Sequence, residues 1–280
     1  MNHGGVRPDI FLLASLATVA LSACQGAGSE SGNGGAGANA SAGATAGNNA
    51  ANSENLVSSE FEVVRAMLDI ASVGREDVVV DLGSGDGRIP IMAASERGAR
   101  GLGVEIDPQR IREAIRNAEK AGVGARVRFR QEDLFRTPLN EVTVLTLYLL
   151  PEINLQLRPK ILFQMRPGTR VVSNTHDMGD WRPDERREIG GNTIFLWVVP
   201  AQVAGSWRLT RGGSAADLSL TQRYQDLSGT GGSAPIAEGQ VRGDRITFSA
   251  DLGQGQRRFE GRVEGDRMVG DGWQAVRSGG

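Results

Sequence analysis

Three acids and three glycines carry the chemistry this sequence can do. Asp81 and Glu105 close apolar runs, in VVVDLGSGDGR and GLGVEID, Asp133 follows a strand-like stretch in RFRQEDLF, and the first run continues into Gly83, Gly85 and Gly87 at every second position. Carboxylates accept hydrogen bonds from hydroxyl, amine and ammonium donors. Glycine permits a sharp turn and lets a ligand lie against bare main chain. Such a set binds a donor-rich small molecule and contains no nucleophile. Cys24 is the one cysteine, and His3 and His176 are the two histidines, so no intramolecular disulfide, cysteine–zinc site or His-rich metal cluster is expected. No G-x-x-x-x-G-K-[ST] run exists, which excludes a P-loop. The dinucleotide pattern G-x-G-x-x-G fails because Arg88 stands where its third glycine belongs.

These groups need a frame that brings distant segments together. The spacing predicts a helix opening on Ser59-Glu60-Phe61-Glu62, a capping box, with Phe61, Val64, Leu68 and Ala71 at helical intervals. Strands are predicted over 78–82, 101–106, 127–130, 142–148 and 170–173, alternating with helices over 88–97, 108–121 and 151–165. Pro108 and Pro151 sit at helix starts, where proline is tolerated. A late apolar strand over 194–199, with 186–189 before it across Gly190-Gly191-Asn192, predicts an antiparallel hairpin at the sheet edge. The alternation implies an α/β fold, a mostly parallel, doubly wound sheet covered on both faces. In that architecture ligands bind beyond the C-terminal ends of the strands. Asp81, Glu105 and Asp133 each belong there.

The run D-x-G-x-G-x-G over Asp81, Gly83, Gly85 and Gly87 resembles motif I of the class I methyltransferases that use S-adenosyl-L-methionine (SAM), whose sheet is Rossmann-like. The resemblance implies SAM as cofactor and a role for each site residue. Asp81 would take the methionyl ammonium, and the glycine loop would wrap the methionyl carboxylate. Glu105 would hold the ribose hydroxyls, with Ile106 packed on the adenine. Asp133 would meet the adenine amino group, and Leu134 would offer its backbone N–H to the ring. LGSGDGRIPIMAA, GLGVEID and LYLLPEINLQLRPKI look like small protein-lysine methyltransferases of mitochondria and their prokaryotic relatives, over residues 57–199. That implies a protein substrate. Relatives carry a Pro-Thr stretch before the first helix, where this chain has Val57-Ser58-Ser59. Strand four ends in LYLLP and lacks the Asn/Asp-Pro-Pro-Tyr of enzymes that methylate planar amino groups. Tyr148 is placed at the acceptor pocket, or simply beside the following helix. No catalytic residue is assigned; His176, Asp177 and Trp181 of NTHDMGDW are further pocket candidates. Metal ligands are not expected. The net charge of −2, with no clustered basic face, gives no footprint for nucleic acid.

Four segments follow from composition. Residues 1–24 read as a signal peptide ending in Leu21-Ser22-Ala23-Cys24, which resembles a bacterial lipobox and implies a lipid anchor at Cys24. Gln25 in place of Asp implies the outer membrane, facing the periplasm, as the site within the cell envelope. Residues 25–55 are Gly, Ala, Ser and Asn without large apolar side chains, a tether that cannot fold. Residues 56–204 form the methyltransferase-like domain. Residues 205–280 show short alternating strands and a repeat, GQVRGDRI and GRVEGDRM, predicting a small antiparallel barrel or sandwich. SAM is made in the cytoplasm, so three readings stay open at this point: a SAM-dependent protein methyltransferase, an envelope lipoprotein that uses the domain for binding without catalysis, and a protein that binds another adenine nucleoside.

Overall fold

The computed structural model describes residues 60–253 and 255–278. The signal peptide, Cys24, the tether, Val57-Ser58-Ser59 and the Ser59 cap lie outside the described residues. The first sheet is built around β1 (Val78–Leu82), whose β-branched start suits a strand buried on both faces. Its parallel neighbours are β2 (Arg100–Glu105) and β4 (Val144–Leu147), with β3 (Val127–Gln131) beyond β2 and β5 (Arg170–Asn174) beyond β4. The hairpin β6 (Glu185–Ile189) and β7 (Asn192–Val198) adds antiparallel to β5, so the order is β3-β2-β1-β4-β5-β7-β6. The order reverses beside β1, the point at which the C-terminal strand ends open a crevice.

Alternate side chains of each strand feed opposite layers. Val79, Val144 and Val172 join Val64, Met67, Leu68 and Ala71 of the first helical segment, α1 (residues 60–70 and the turn after it), together with Met92 and Ala93 of α2 (Arg88–Arg97). Val80, Leu82, Leu145 and Leu147 join Leu157 and Ile161 of α4 (Pro151–Gln164) on the other face. Helix α3 (Pro108–Lys120) starts on Asp107, whose carboxylate accepts from the Gln109 N–H at 2.7 Å. Phe61, expected among the buried positions of α1, is instead 39% exposed. Strand β4 is shorter than the predicted 142–148. Its ladder with β1 runs from Val79↔Val144 to Leu82↔Leu147, and Tyr148 lies past the point where β1 turns into the glycine loop.

The second sheet is entirely antiparallel. In chain order it contains β8 (Gly205–Arg211), β9 (Ser214–Arg223), β10 (Asp226–Gly231), the two-residue β11 (Ala234–Pro235), β12 (Ala237–Arg242), β13 (Arg245–Asp251), β14 (Gln256–Glu264), β15 (Arg267–Gly270) and β16 (Trp273–Arg277). Strand β16 pairs with β8, and β9 pairs with β10, so β8–β10 and β12–β16 close into a barrel. Closure leaves no free edge on the ring. The repeat forms two-residue hairpin turns, Gly243-Asp244 and Gly265-Asp266, with positive φ at each glycine (62° and 64°). Trp207, Phe248, Phe259 and Trp273 fill the interior; Phe248 and Phe259 stack at 5.0 Å, and Trp273 meets both edge-on.

The glycine loop shows why packing needs small residues here. A Cβ at Gly87 (φ 82°) would fall 2.6 Å from Phe129 Cζ and 2.9 Å from Ala114 Cβ. Gly122 has a similar φ of 70° and nothing within 4 Å. Gly122→Ala is therefore expected to cost only the left-handed strain, about 1 kcal/mol. Gly87→Ala adds overlap with Phe129, for a total of roughly 2–4 kcal/mol. Urea denaturation of the two variants measures the difference, and equal losses would show that crowding by Phe129 plays no part.

Candidate functional site

A cleft of about 490 Å³ opens at the C-terminal ends of β1, β4 and β5, beneath α1. Its walls include Asp81, Gly83, Gly85, Tyr148 and Asn174, with Val63, Val64 and Met67 of α1 opposite. Asp81 is 3% exposed, and its Oδ1 accepts from Thr146 Oγ1 at 2.7 Å. Burial pushes its carboxyl up to about 7; the Thr146 hydroxyl opposes that rise, and the nearby acids Asp86 and Glu105 add to it. Among the described residues no cation pairs with Asp81. A buried carboxylate in this state fits a ligand that brings its own ammonium.

The glycines divide their work. The Gly83 and Ser84 N–H groups both donate to the Val104 carbonyl, at 2.8 and 2.9 Å, which fastens the loop to β2. A Cβ at Gly83 would meet Leu149 at 2.7 Å, and one at Gly87 would meet Phe129 and Ala114. At these two positions a side chain would crowd the protein's own residues, while Gly83 still lines the cleft. Gly85, which lines the cleft with Gly83, has only Arg110 Nη1 at 3.3 Å from its virtual Cβ. Its N–H donates to Glu105 Oε2 at 3.0 Å. Glu105 Oε1 takes the Ile106 and Asp107 N–H groups at 2.8 and 3.1 Å.

Glu105, Ile106, Asp133 and Leu134 lie at the ends of β2 and β3, outside the walls of the 490 Å³ cleft but joined to it through Gly85. Ile106 is 69% exposed, an apolar platform without cover. Asp133 Oδ1 caps the Phe135 N–H at 2.9 Å, while Leu134 is partly buried against the second layer. Tyr148, 61% exposed, lines the cleft.

The segment after β5 departs from expectation. Trp181 is fully buried in the core, 5.8 Å from Trp197 and stacked on Tyr224 at 6.1 Å, so it does not face the cleft. His176 and Asp177 are absent from the cleft walls as well. Thr175 has φ 68°, a turn that takes the chain away; the His176 carbonyl then accepts from Ser173 Oγ at 2.6 Å and Asn154 Nδ2 at 3.1 Å. Asp177 Oδ1 accepts from the Gly179 N–H. The residue this segment gives to the cleft is Asn174, 2% exposed. It ends β5 as Asp81 nearly ends β1, so the strand-end rule could have found it. Thr146 had no such signal, since its partner is revealed only by the β1–β4 register, Asp81↔Thr146. Arg88 spans the cleft mouth, pairing with Asp86 at 2.8 Å and with Glu60 of α1.

Comparison with known proteins gives this geometry a context. Residues 81–185 match the ANTKMT methyltransferase domain. A protein-lysine N-methyltransferase of Saccharolobus islandicus is 43% identical over 143 residues, 49% of this chain and 89% of that protein. The chain belongs to this methyltransferase family. An adenine nucleotide translocase lysine N-methyltransferase of Mus musculus is 32% identical over 133 residues, 47% of this chain but only 57% of the mouse protein. The crystal structure of an RNA methyltransferase from Salinibacter ruber with S-adenosyl-L-homocysteine aligns at 51% identity and a TM-score of 0.50, covering 51% of this chain and 93% of that one. The protein is a SAM-dependent methyltransferase.

The state of Asp81 sets a pH dependence in the ligand-free methyltransferase. Its folded pKa of about 7 lies above the ordinary 3.8, so the native state holds more protons between those values. Stability therefore falls as pH rises through that window, and the full penalty, on the order of 4 kcal/mol at most, is present above about pH 7. Asp81→Asn keeps an acceptor for Thr146 and removes the charge. Its melting temperature should exceed that of the wild type at pH 8 and converge with it near pH 4; a constant difference across that range contradicts the buried-charge account.

Proposed function

We propose that this methyltransferase transfers the SAM methyl group to a lysine side chain of a protein. The observation that carries the reading is Asp81: a buried carboxylate without a cation, in a cleft that continues to Tyr148 and Asn174. SAM supplies a methyl group already activated on a sulfonium, so the chain has to align and to exclude water. Asp81 receives the methionyl ammonium, and Gly85 admits the methionyl group along its main chain. Three of the roughly four acceptor sites on the Glu105 carboxylate already hold backbone donors. It therefore takes one ribose hydroxyl as it stands, and a second only if the Gly85 N–H lets go. Ile106 offers its exposed side chain to the adenine face. Asp133 Oδ2 and the Leu134 N–H serve the adenine edge.

On the acceptor side, Tyr148 and Asn174 bring a phenol and an amide against the apolar side chains of Val63, Val64 and Met67. A lysine amine entering this wall loses hydration, which lowers its pKa and favours the uncharged nucleophile. The lysine acceptor named for the Saccharolobus relative suits that wall. We further propose that the chain acts at the bacterial cell envelope, anchored by lipid on Cys24 and facing the periplasm from the outer membrane. The lipobox-like Leu21-Ser22-Ala23-Cys24 followed by Gln25 supports this. Among the described residues no helix is long and apolar enough to cross a membrane.

Calorimetry with SAM and S-adenosyl-L-homocysteine tests the cofactor roles. Micromolar binding is expected, abolished by Gly85→Arg and reduced about tenfold by Glu105→Ala, which removes a charge-assisted hydrogen bond. Radiolabelled methyl transfer into envelope protein should yield methyl-lysine on hydrolysis. Label recovered in nucleic acid instead, or binding of adenosine as tight as that of SAM, overturns the reading. Incorporation of labelled palmitate in cells, lost in Cys24→Ser, tests the anchor.

A further inference from the structure

The barrel contains a second cavity, of about 270 Å³, at one end of the ring. Leu209, Ala216, Ala250, Leu252 and Phe259 give it an apolar lining, and Arg211 and Arg257 stand in the same wall. Small side chains open the space: Ala216, paired with Leu209, and Ala250 line it where other interior positions carry Trp207, Phe248 and Trp273. Among the described residues most other arginines of the barrel are partnered, Arg245 excepted. Arg208, Arg223, Arg242, Arg258, Arg262 and Arg277 each pair with a carboxylate. Among the described residues the Arg211 and Arg257 guanidiniums have no hydrogen-bond or ion-pair partner; Arg211 lies 5.9 Å over the Phe259 ring instead. The acid beside them in sequence, Asp251, holds the Gly253 and Gly255 N–H groups at 2.8 and 2.9 Å.

Both arginines are exposed in the wall of one apolar hollow, and two cations without an acid partner there attract an anion. We infer that the barrel binds a small anionic amphiphile, its head group on Arg211 and Arg257 and its chain in the hollow against Phe259 and the alanines. Guanidinium recognises a carboxylate or sulfate head through paired hydrogen bonds. Burial of the chain against the floor supplies the apolar part. The volume equals roughly nine waters of liquid, so a short chain fits and a full-length lipid tail does not. This site is independent of the methyl-transfer reading, since none of its residues lines the SAM cleft.

The test is calorimetric titration of the full chain, carrying Cys24→Ser so that no detergent is needed, with octanoate, 1-octanol and inorganic sulfate. Octanoate should bind saturably at one site, at least tenfold tighter than octanol, with no heat from sulfate at the same concentrations. Arg211→Gln with Arg257→Gln should weaken octanoate at least tenfold and leave octanol unchanged. Ala216→Trp, which fills the hollow from a different strand, should remove both. The proposal falls if octanoate binds the double variant as well as the parent, if octanol matches octanoate, if sulfate binds as tightly, or if Ala216→Trp leaves octanoate binding intact.

Discussion

The first sheet ends in a charge that the protein does not neutralise. Asp81 lies near the C-terminal end of β1, an inner strand flanked by β2 on one side and β4 on the other, and Thr146 gives its carboxylate a single neutral donor. A carboxylate in that setting either takes up a proton or waits for a cation. Both features that make it costly are needed by the site. Burial removes the carboxylate itself from solvent, and the nearby Asp86 and Glu105 raise the appetite for positive charge. Fold stability and ligand affinity therefore draw on the same group with opposite sign: what weakens the empty protein strengthens its hold on an ammonium.

The glycine loop couples the two halves of the nucleoside site. Its first two N–H groups are tied to Val104, and the third is tied to Glu105, so the loop and the end of β2 move as one piece. Gly83 and Gly87 are small because Leu149, Phe129 and Ala114 press on them, and this pressure fixes where Gly85 sits. One hydrogen bond, from Gly85 to Glu105, thus connects the methionyl side of the cleft with the ribose side. A ligand that claims both Glu105 oxygens must compete with that bond.

Much of this was readable in advance because it is local. The β-branched run into Asp81, the prolines at two helix starts and the Gly190-Gly191 turn located strands, helices and the edge hairpin to within about two residues. Asp81, Gly85 and Tyr148, which line the cleft, were legible because a strand-end acid, its glycine turn or a strand-end aromatic belongs at the crevice; Glu105, at the end of β2, reaches it only through Gly85. What escaped depends on pairing across the sheet. Thr146 reaches Asp81 only through the register of β4 against β1, and Met67 reaches the cleft only through the way α1 lies over it. Trp181 was misjudged for a related reason. Its sequence neighbours are polar, as in a surface loop, and the aromatic partners that bury it, Trp197 and Tyr224, come from another strand of the sheet and from the barrel.

That burial explains how the barrel bears on the cleft. The segment leaving β5 begins with Asn174 in the cleft wall and reaches Trp181 seven residues later, against Tyr224. Asp180 beside it accepts from Arg223 and from Tyr224, and those two hydrogen bonds, Arg223 first, hold its carboxyl down to about 2. Arg182 pairs with Asp226, and Asp184 with Arg242, so four nearby points of one loop are fixed to β9, β10, β12 and the turn between the first two. Gly243, at the turn of the next hairpin, sits so near Gly168 that a Cβ would lie 3.1 Å from its Cα. A loop tethered this closely has little freedom to carry Asn174 in and out of the cleft, because moving it would break ion pairs and uncover two tryptophans together. The barrel thus supplies the far wall against which the acceptor side of the site is held still, whatever else it binds at its open end.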